Sequence, residues 1–203
     1  MTVDPGEVTI ETYGRIVDSY TARTRVRPPA VLTLLDRLAT LASPGGCVLE
    51  LGSGPGIDAD LLQARGLRVQ RTDAAPAFVE RLRARGHEAR LLDVRHDSLG
   101  GPYDAVLANA VLLHLTRSDL GLALARIHAA TRPGGVFAFT LKEGDGEGLT
   151  SRKVGHPRWF TYWREDPLRE QLAAAGWSVE SLEHVAGGED DWLHVIARVP
   201  PVV

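Results

Sequence analysis

Four apolar runs of this chain close on residues able to hold a polar ligand: Glu50 in "VLELGSGPG", Asp73 at the end of "RVQRTD", Asp93 in "LLDV" and Asn109 in "YDAVLAN". Carboxylates accept hydrogen bonds and an amide both accepts and donates, so this set suits a ligand rich in hydroxyl and amino groups. Behind Glu50 come Gly52, Ser53, Gly54, Pro55 and Gly56. Glycine lets a ligand approach the backbone, and the N–H groups at the start of the following helix favour a polar or anionic group. One helix and one strand fit between Gly56 and Asp73, which puts the Asp73 carboxylate within reach of the ribose of a nucleoside lying over the glycines. Each residue alone has a plainer use as a helix cap or loop residue; their joint spacing carries the argument.

The elements that position these residues follow from apolar periodicity. "ETYGRIVDSYTARTR" and "PPAVLTLLDRLATL" read as two helices ahead of the glycine turn. From Cys47 the pattern alternates: "CVLEL", "IDADLLQARG", "RVQRTD", "PAFVERLRARG" and "EARLLDV" read as strand, helix, strand, helix, strand. "YDAVLANAVLLHL" adds a strand and turn, "RSDLGLALARIHAAT" a long helix and "GGVFAFTLK" another strand. Short crossovers of this kind build a parallel sheet covered on both faces. The stretch from Lys142 to Trp163 is glycine-rich, charged and then aromatic, and too long for a plain connection. A helix over "EDPLREQLAAAGW" and two strands, "SVESLEHV" and "WLHVIARV", joined as a hairpin by "AGGEDD", complete the chain.

A nicotinamide dinucleotide and S-adenosylmethionine both suit such a turn. The glycines separate them, because a dinucleotide fold places a third glycine at position 57, where this chain has Ile57 and the pattern G-x-G-x-G. Here the sequence resembles the class I S-adenosylmethionine-dependent methyltransferases, from about Tyr13 to the C-terminus, in "VLELGSGPG", "RTDAAPAFV", "LLDV", "YDAVLANAVLLHL" and "LARIHAATRPGGVFAFTLKEG". The resemblance implies a single α/β domain over 1–203, a Rossmann-like doubly wound sheet, mostly parallel with an antiparallel C-terminal strand and helices on both faces. It also implies an N-terminal helical lid over 1–42 and a substrate-side insertion over 142–163. Carried over by position, Gly52, Ser53, Gly54 and Gly56 face the methionine part of the cofactor, Glu50 orders that loop or accepts from the amino group, and Asp73 takes both ribose hydroxyls. Ala74 lines the adenosine, Asp93 accepts from the adenine amine, the Val94 backbone bonds the ring, and Asn109 closes the site. Asn109-Ala110-Val111-Leu112 departs from the Asn-Pro-Pro-aromatic motif of nucleobase and glutamine amino-methyltransferases, which directs the expectation to a small-molecule acceptor.

Methyl transfer from a sulfonium is mainly a matter of holding a nucleophile about 3 Å from the methyl, in line with sulfur, so a base is optional. The candidates are His114, in "LLHL", and Glu143, which closes "TLKEG", with His156 a weaker third. Each has a plainer use, the histidine packing in its turn and the glutamate solvated in a loop. Tyr20 shares a helix face with Tyr13, a spacing that serves packing or a lid over the cofactor. Arg152, Arg158, Trp159, Phe160 and Tyr162 form the densest basic and aromatic cluster, either a core-filling corner or the wall of a pocket whose arginines meet an acidic group. The same cofactor motifs would serve a non-catalytic S-adenosylmethionine-binding module, and an aromatic groove would serve a peptide or protein methyltransferase. S-adenosylhomocysteine is the product expected of turnover.

Composition narrows the partners. The 203 residues carry a net charge of −3, which supplies no broad basic surface for nucleic acid. No run approaches the roughly 20 apolar residues that span a bilayer, and the first residues lack a signal-peptide pattern, so a cytoplasmic monomer or homodimer is expected. The single cysteine, Cys47, permits no internal disulfide and no thiolate cluster for zinc, so no metal is expected.

Overall fold

The computed structural model describes residues 4–152 and 154–201. Its central sheet runs β3 (Ala89–Leu91), β2 (Arg68–Asp73), β1 (Cys47–Glu50), β4 (Tyr103–Ala108), β5 (Thr131–Glu143), all parallel. The chain steps outward from β1 to β3 through α3 (Ile57–Ala64) and α4 (Pro76–Ala84), then returns to the other side of β1 with β4. A reversal of strand order leaves a crevice at the carboxyl ends of β1 and β4, where open α/β sheets bind ligands.

Alternation along the strands divides the core between two faces. Val48, Ala105, Leu107, Val136 and Ala138 point to one face and pack against Val31, Leu34, Leu35 and Leu38 of α2 (Pro29–Leu41). Leu49, Val106, Phe137 and Phe139 point to the other and meet Leu120, Ala123, Leu124 and Ile127 of α5 (Arg117–Ala130). Leu35 and Leu38 are fully buried, each worth about 1.5–3 kcal/mol relative to exposure. These strands read as continuous apolar runs because both faces are covered.

The helix α1 (Pro5–Arg23) is attached differently. Asp4 caps it, accepting from the backbone of Gly6 and Glu7, and Pro5 fits its first turn. Its buried residues are Thr9, Thr12 and Ile16, so polar contacts contribute much of its docking. Thr12 donates to the Pro157 carbonyl at 2.6 Å, and Thr9 accepts from the Trp159 backbone at 2.9 Å.

The last third of the chain holds one departure from the sequence reading. The glycine-rich stretch after Lys142, to which the sequence reading gave no elements, forms a hairpin, β6 (Glu147–Thr150) paired antiparallel with β7 (Arg158–Trp163). β7 in turn runs parallel to Lys142 and Glu143, beyond the point where β4 stops. β7 buries Arg158, Phe160, Thr161 and Trp163 and leaves Trp159 and Tyr162 half-buried, so no strict alternation marks it in the sequence. After α6 (Glu165–Ala174), β8 (Ser178–Val185) and β9 (Trp192–Arg198) form the expected hairpin, with β9 antiparallel between β5 and β8.

Candidate active site

A cleft of about 800 Å³, counting its open mouth, lies over the carboxyl ends of β1, β2 and β4. Its floor and sides come from strand ends: Leu51, Gly52 and Gly54 after β1, Asp73 and Ala74 at β2, Asp93 and Val94 after β3, and Asn109 after β4. Tyr13 and Tyr20 of α1 and Phe78 of α4 add aromatic walls, with Tyr13 and Tyr20 edge to face at 5.2 Å.

Asp73 is buried, and its two oxygens accept from the backbone of Gly54 and Ala75, each at 2.8 Å. Burial pushes its carboxyl up to about 6, against the pull of those backbone donors. A carboxylate so placed still has lone pairs for hydroxyl donors. Of the three glycines, only Gly54 has open cleft beside it: a Cβ there would meet Tyr20 alone, at 3.9 Å, although φ of +51° still favours glycine. At Gly52 a Cβ would lie 2.5 Å from Val111, and at Gly56 2.7 Å from Leu82, so these two are glycine for packing as well as for turn geometry.

Glu50, Ser53 and Gly56 do not line the cleft; they build the turn beneath it. Ser53 donates to the Glu50 carboxylate, and burial raises the Glu50 carboxyl to about 8. Asn109 lines the cleft with both ends of its amide engaged, donating to Asp58 at 2.9 Å and accepting from Thr140 at 3.0 Å. The same Thr140 hydroxyl accepts from the Ala110 backbone at 2.8 Å, and Ala110 is held at φ 55°, a left-handed conformation that stores strain beside the cleft. Asp93 is grasped by Arg95 through three contacts of 2.7–3.1 Å, and Arg95 also reaches Asp4 at 2.8 Å. Burial works against the Asp93 charge, yet Arg95 holds its carboxyl below the usual range.

His114 sits in a 3-10 turn (Leu112–His114) at the cleft. Its Nδ1 lies 2.6 Å from the Trp159 carbonyl, an acceptor only, so Nδ1 carries the proton and Nε2 accepts from the Tyr13 hydroxyl at 2.9 Å. Arg158 donates to the same Tyr13 oxygen at 3.0 Å. Burial drives the imidazole pKa down to about 3, so the ring is neutral at physiological pH.

Other expected residues are dispersed. Glu143 does not line the cleft; its carboxylate is 2.9 Å from His184 Nδ1 and 3.7 Å from Arg164, away from the other strand-end acids. Arg152, Arg158, Phe160 and Tyr162 line a second cleft along the β6–β7 hairpin. Trp159 lines neither; its indole N–H donates to Thr161 at 3.0 Å. Phe78 and Arg95 escaped the sequence reading although each follows a strand-end aspartate closely, and that adjacency was the available signal. Thr9 gave none.

The fold and cleft match known proteins. A methyltransferase domain family profile matches residues 23–182, and the chain belongs to that family. It is 33% identical over 119 residues to malonyl-(acyl-carrier protein) O-methyltransferase of Serratia marcescens, a match covering 56% of this chain and 46% of that one, so the chain spans about half the length of that relative. Among solved structures, a DhpI complex with S-adenosylhomocysteine superposes with a TM-score of 0.77 at 25% identity, over 100% of both chains. The 1,6-didemethyltoxoflavin-N1-methyltransferase of Burkholderia thailandensis superposes at 0.70, with 23% identity over 98% of this chain and 92% of that chain; at that identity the likeness speaks for the fold alone.

Proposed function

We propose that the cleft binds S-adenosylmethionine and that the enzyme transfers its methyl group to an oxygen or nitrogen of a small-molecule acceptor. The observation that carries this reading is the buried Asp73 carboxylate beside Gly54, both lining one cleft at the switch point of the sheet. When bound, S-adenosylmethionine supplies a methyl group already activated by its positively charged sulfur. Asp73 accepts from the ribose hydroxyls, while Ala74, Phe78 and Leu92 provide apolar surface for the adenosine. Asp93 offers the lone pairs that Arg95 leaves to the adenine amine, and the Val94 backbone bonds the ring. Glu50, beneath the glycine turn, orders that loop by accepting from Ser53.

The chain's remaining task is to hold the nucleophile in line and exclude water. Tyr13 and Tyr20 cover the cleft from α1. His114 acts here as the fixed acceptor that orients the Tyr13 hydroxyl, because an imidazolium at its buried position is inaccessible near neutral pH. The rate should therefore show no inflection belonging to His114 between pH 5 and 9.

Calorimetry with S-adenosylmethionine, S-adenosylhomocysteine and NAD tests the cofactor; stronger heats from NAD would overturn the assignment. Methyl-labelled S-adenosylmethionine incubated with fractionated cell extract tests the reaction. Label in small molecules with release of S-adenosylhomocysteine is expected. Label confined to protein would replace the acceptor class, and binding without turnover would leave a cofactor-binding module.

A further inference from the structure

Two cations are buried side by side in the second cleft, and among the described residues only one of them has a carboxylate. Lys142 Nζ lies 3.9 Å from the centre of the Phe160 ring, and the Arg158 guanidinium carbon lies 4.9 Å from the same ring. Both residues are buried, Lys142 at 4% exposure and Arg158 at 6%. Lys142 is paired with the buried Asp190 at 2.9 Å. Arg158 has no ion pair among the described residues: one nitrogen donates to the Tyr13 hydroxyl, and its buried Nε has no hydrogen-bond partner.

The other acids of that cleft are already engaged. Asp145 takes Arg164 at 2.5 Å, and Glu147 accepts from the Thr161 hydroxyl and the Arg117 backbone, each at 3.1 Å. A buried guanidinium satisfied by a neutral hydroxyl and two ring faces is a costly arrangement for a folded chain, and an anion from outside would relieve it. The position is informative too. Tyr13 links Arg158 to His114, so the guanidinium stands directly behind the aromatic layer of the cofactor cleft.

We propose that the second cleft receives the acidic group of the methyl acceptor, a carboxylate or a phosphate-type oxyanion, with Arg158 as its charged anchor. This rests on the methyl-transfer reading and narrows its acceptor class. Arg158 donates to the Tyr13 hydroxyl at 3.0 Å, so an acid held at Arg158 lies one side chain away from the cofactor cleft that Tyr13 lines. A planar guanidinium suits either oxyanion, since both match its fork of donors.

The test uses the full chain saturated with S-adenosylhomocysteine and three small probes at constant ionic strength: methylphosphonate, propanoate and propanamide. At least one of the two acids should bind saturably and the amide should not, with the responding acid telling phosphate-type from carboxylate acceptors. Arg158→Met should weaken that binding at least tenfold, and Arg158→Lys less, while the S-adenosylhomocysteine dissociation constant stays within twofold. Without ligand, Arg158→Met should melt at or above the parent temperature, because it replaces an uncompensated buried charge by apolar volume and Tyr13 keeps His114 as partner. No saturation by either acid, undiminished acid binding in Arg158→Met, or a lower melting temperature for that variant overturns the assignment. Failure of S-adenosylhomocysteine itself to bind registers separately, in its own titration, against the cofactor reading beneath it.

Discussion

The two walls of the active site are made by different means. The strand-end wall consists of Gly54, Asp73, Asp93 and Asn109, each placed by a short piece of chain that follows its own strand. The opposite wall depends on partners remote in sequence, since Tyr13 meets His114 and Arg158, and Thr9 meets Trp159. The first wall is set by local turn geometry on a rigid sheet. The second exists only once α1 has docked on the β6–β7 hairpin, largely through hydrogen bonds. Rigid strand ends suit a ligand of fixed shape, and a wall assembled by docking suits a site whose acceptor must enter and leave.

Asp73→Ala gives the largest test of this division. It removes a buried charged acceptor from two hydroxyls and also frees the Gly54 and Ala75 N–H groups that the carboxylate fixes. Bonds to charged groups are worth about 1.5–3 kcal/mol each, so the cofactor dissociation constant should rise more than a hundredfold by calorimetry. Asp93→Ala should cost less, because Arg95 already shares its lone pairs. Equal small losses would mean that the strand-end wall does not hold the ribose.

Phe160→Ala should cost about 3–5 kcal/mol of folding stability, since that ring lies in the main core cluster. Trp159→Ala should cost about 1 kcal/mol, its ring being half-buried with one hydrogen bond to Thr161. The two neighbours on β7 thus separate in a denaturant titration. Equal costs would show that the hairpin is core throughout rather than a wall with a buried and an exposed side.

Two buried groups, Glu50 beneath the strand-end wall and His114 in the opposite one, should also answer pH with opposite signs. Glu50 has a folded pKa raised to about 8, so its contribution to stability is complete below about 4.5 and lost as pH rises through 8. His114 has a folded pKa lowered to about 3, so its contribution is complete above about 6.5 and lost as pH falls toward 3. Glu50→Gln should flatten the alkaline limb of a stability profile and His114→Gln the acid limb, each by on the order of 2 kcal/mol. A profile in which neither variant alters its own limb would break the assignment of these groups to buried sites.

How much could be read from the sequence follows the same division. The alternation from Cys47 to Lys142 places five strands in order because each buried run and each glycine stop is local, and the strand-end carboxylates come with them. Glu143 closes β5 as expected but lies outside the cleft, because the end of β5 runs past β4 and turns its glutamate toward His184, a contact that depends on the C-terminal hairpin. Tyr13 gave no local signal because its hydrogen-bond partners, His114 and Arg158, lie 101 and 145 positions away. The β6–β7 pairing was hidden because Gly144, Gly146 and Gly148 give no apolar alternation, although Glu147–Thr150 pairs in register with β7.

Asp4 tests the seam between the walls. Its carboxylate caps α1 and takes Arg95, which holds Asp93. Asp4→Ala should lower stability by about 1 kcal/mol, the usual cost of a lost cap, and weaken cofactor binding a few-fold by loosening α1 over the adenosine end of the cleft. Asp4→Asn should restore the cap but not the pairing with Arg95, so stability should recover more than affinity. Recovery of both would leave Arg95 without a part in joining the walls.

The smallest effect is expected at Glu143, and it bears on how far the strand-end rule extends. If every acid closing a strand of this sheet served the ligand, Glu143→Gln would slow methyl transfer strongly, as removal of a base does. Its carboxylate instead faces His184 and Arg164 at the surface, where exposed pairs contribute only about 0–1 kcal/mol. Turnover and cofactor affinity should therefore match the parent within error, and stability should shift by no more than about 0.5 kcal/mol. Protonated His184 is favoured by Glu143 and Glu165, so whatever shift appears should fade as pH rises and the imidazole loses its proton. A large fall in turnover with unchanged folding would return Glu143 to the site and erase the boundary drawn between the ends of β4 and β5.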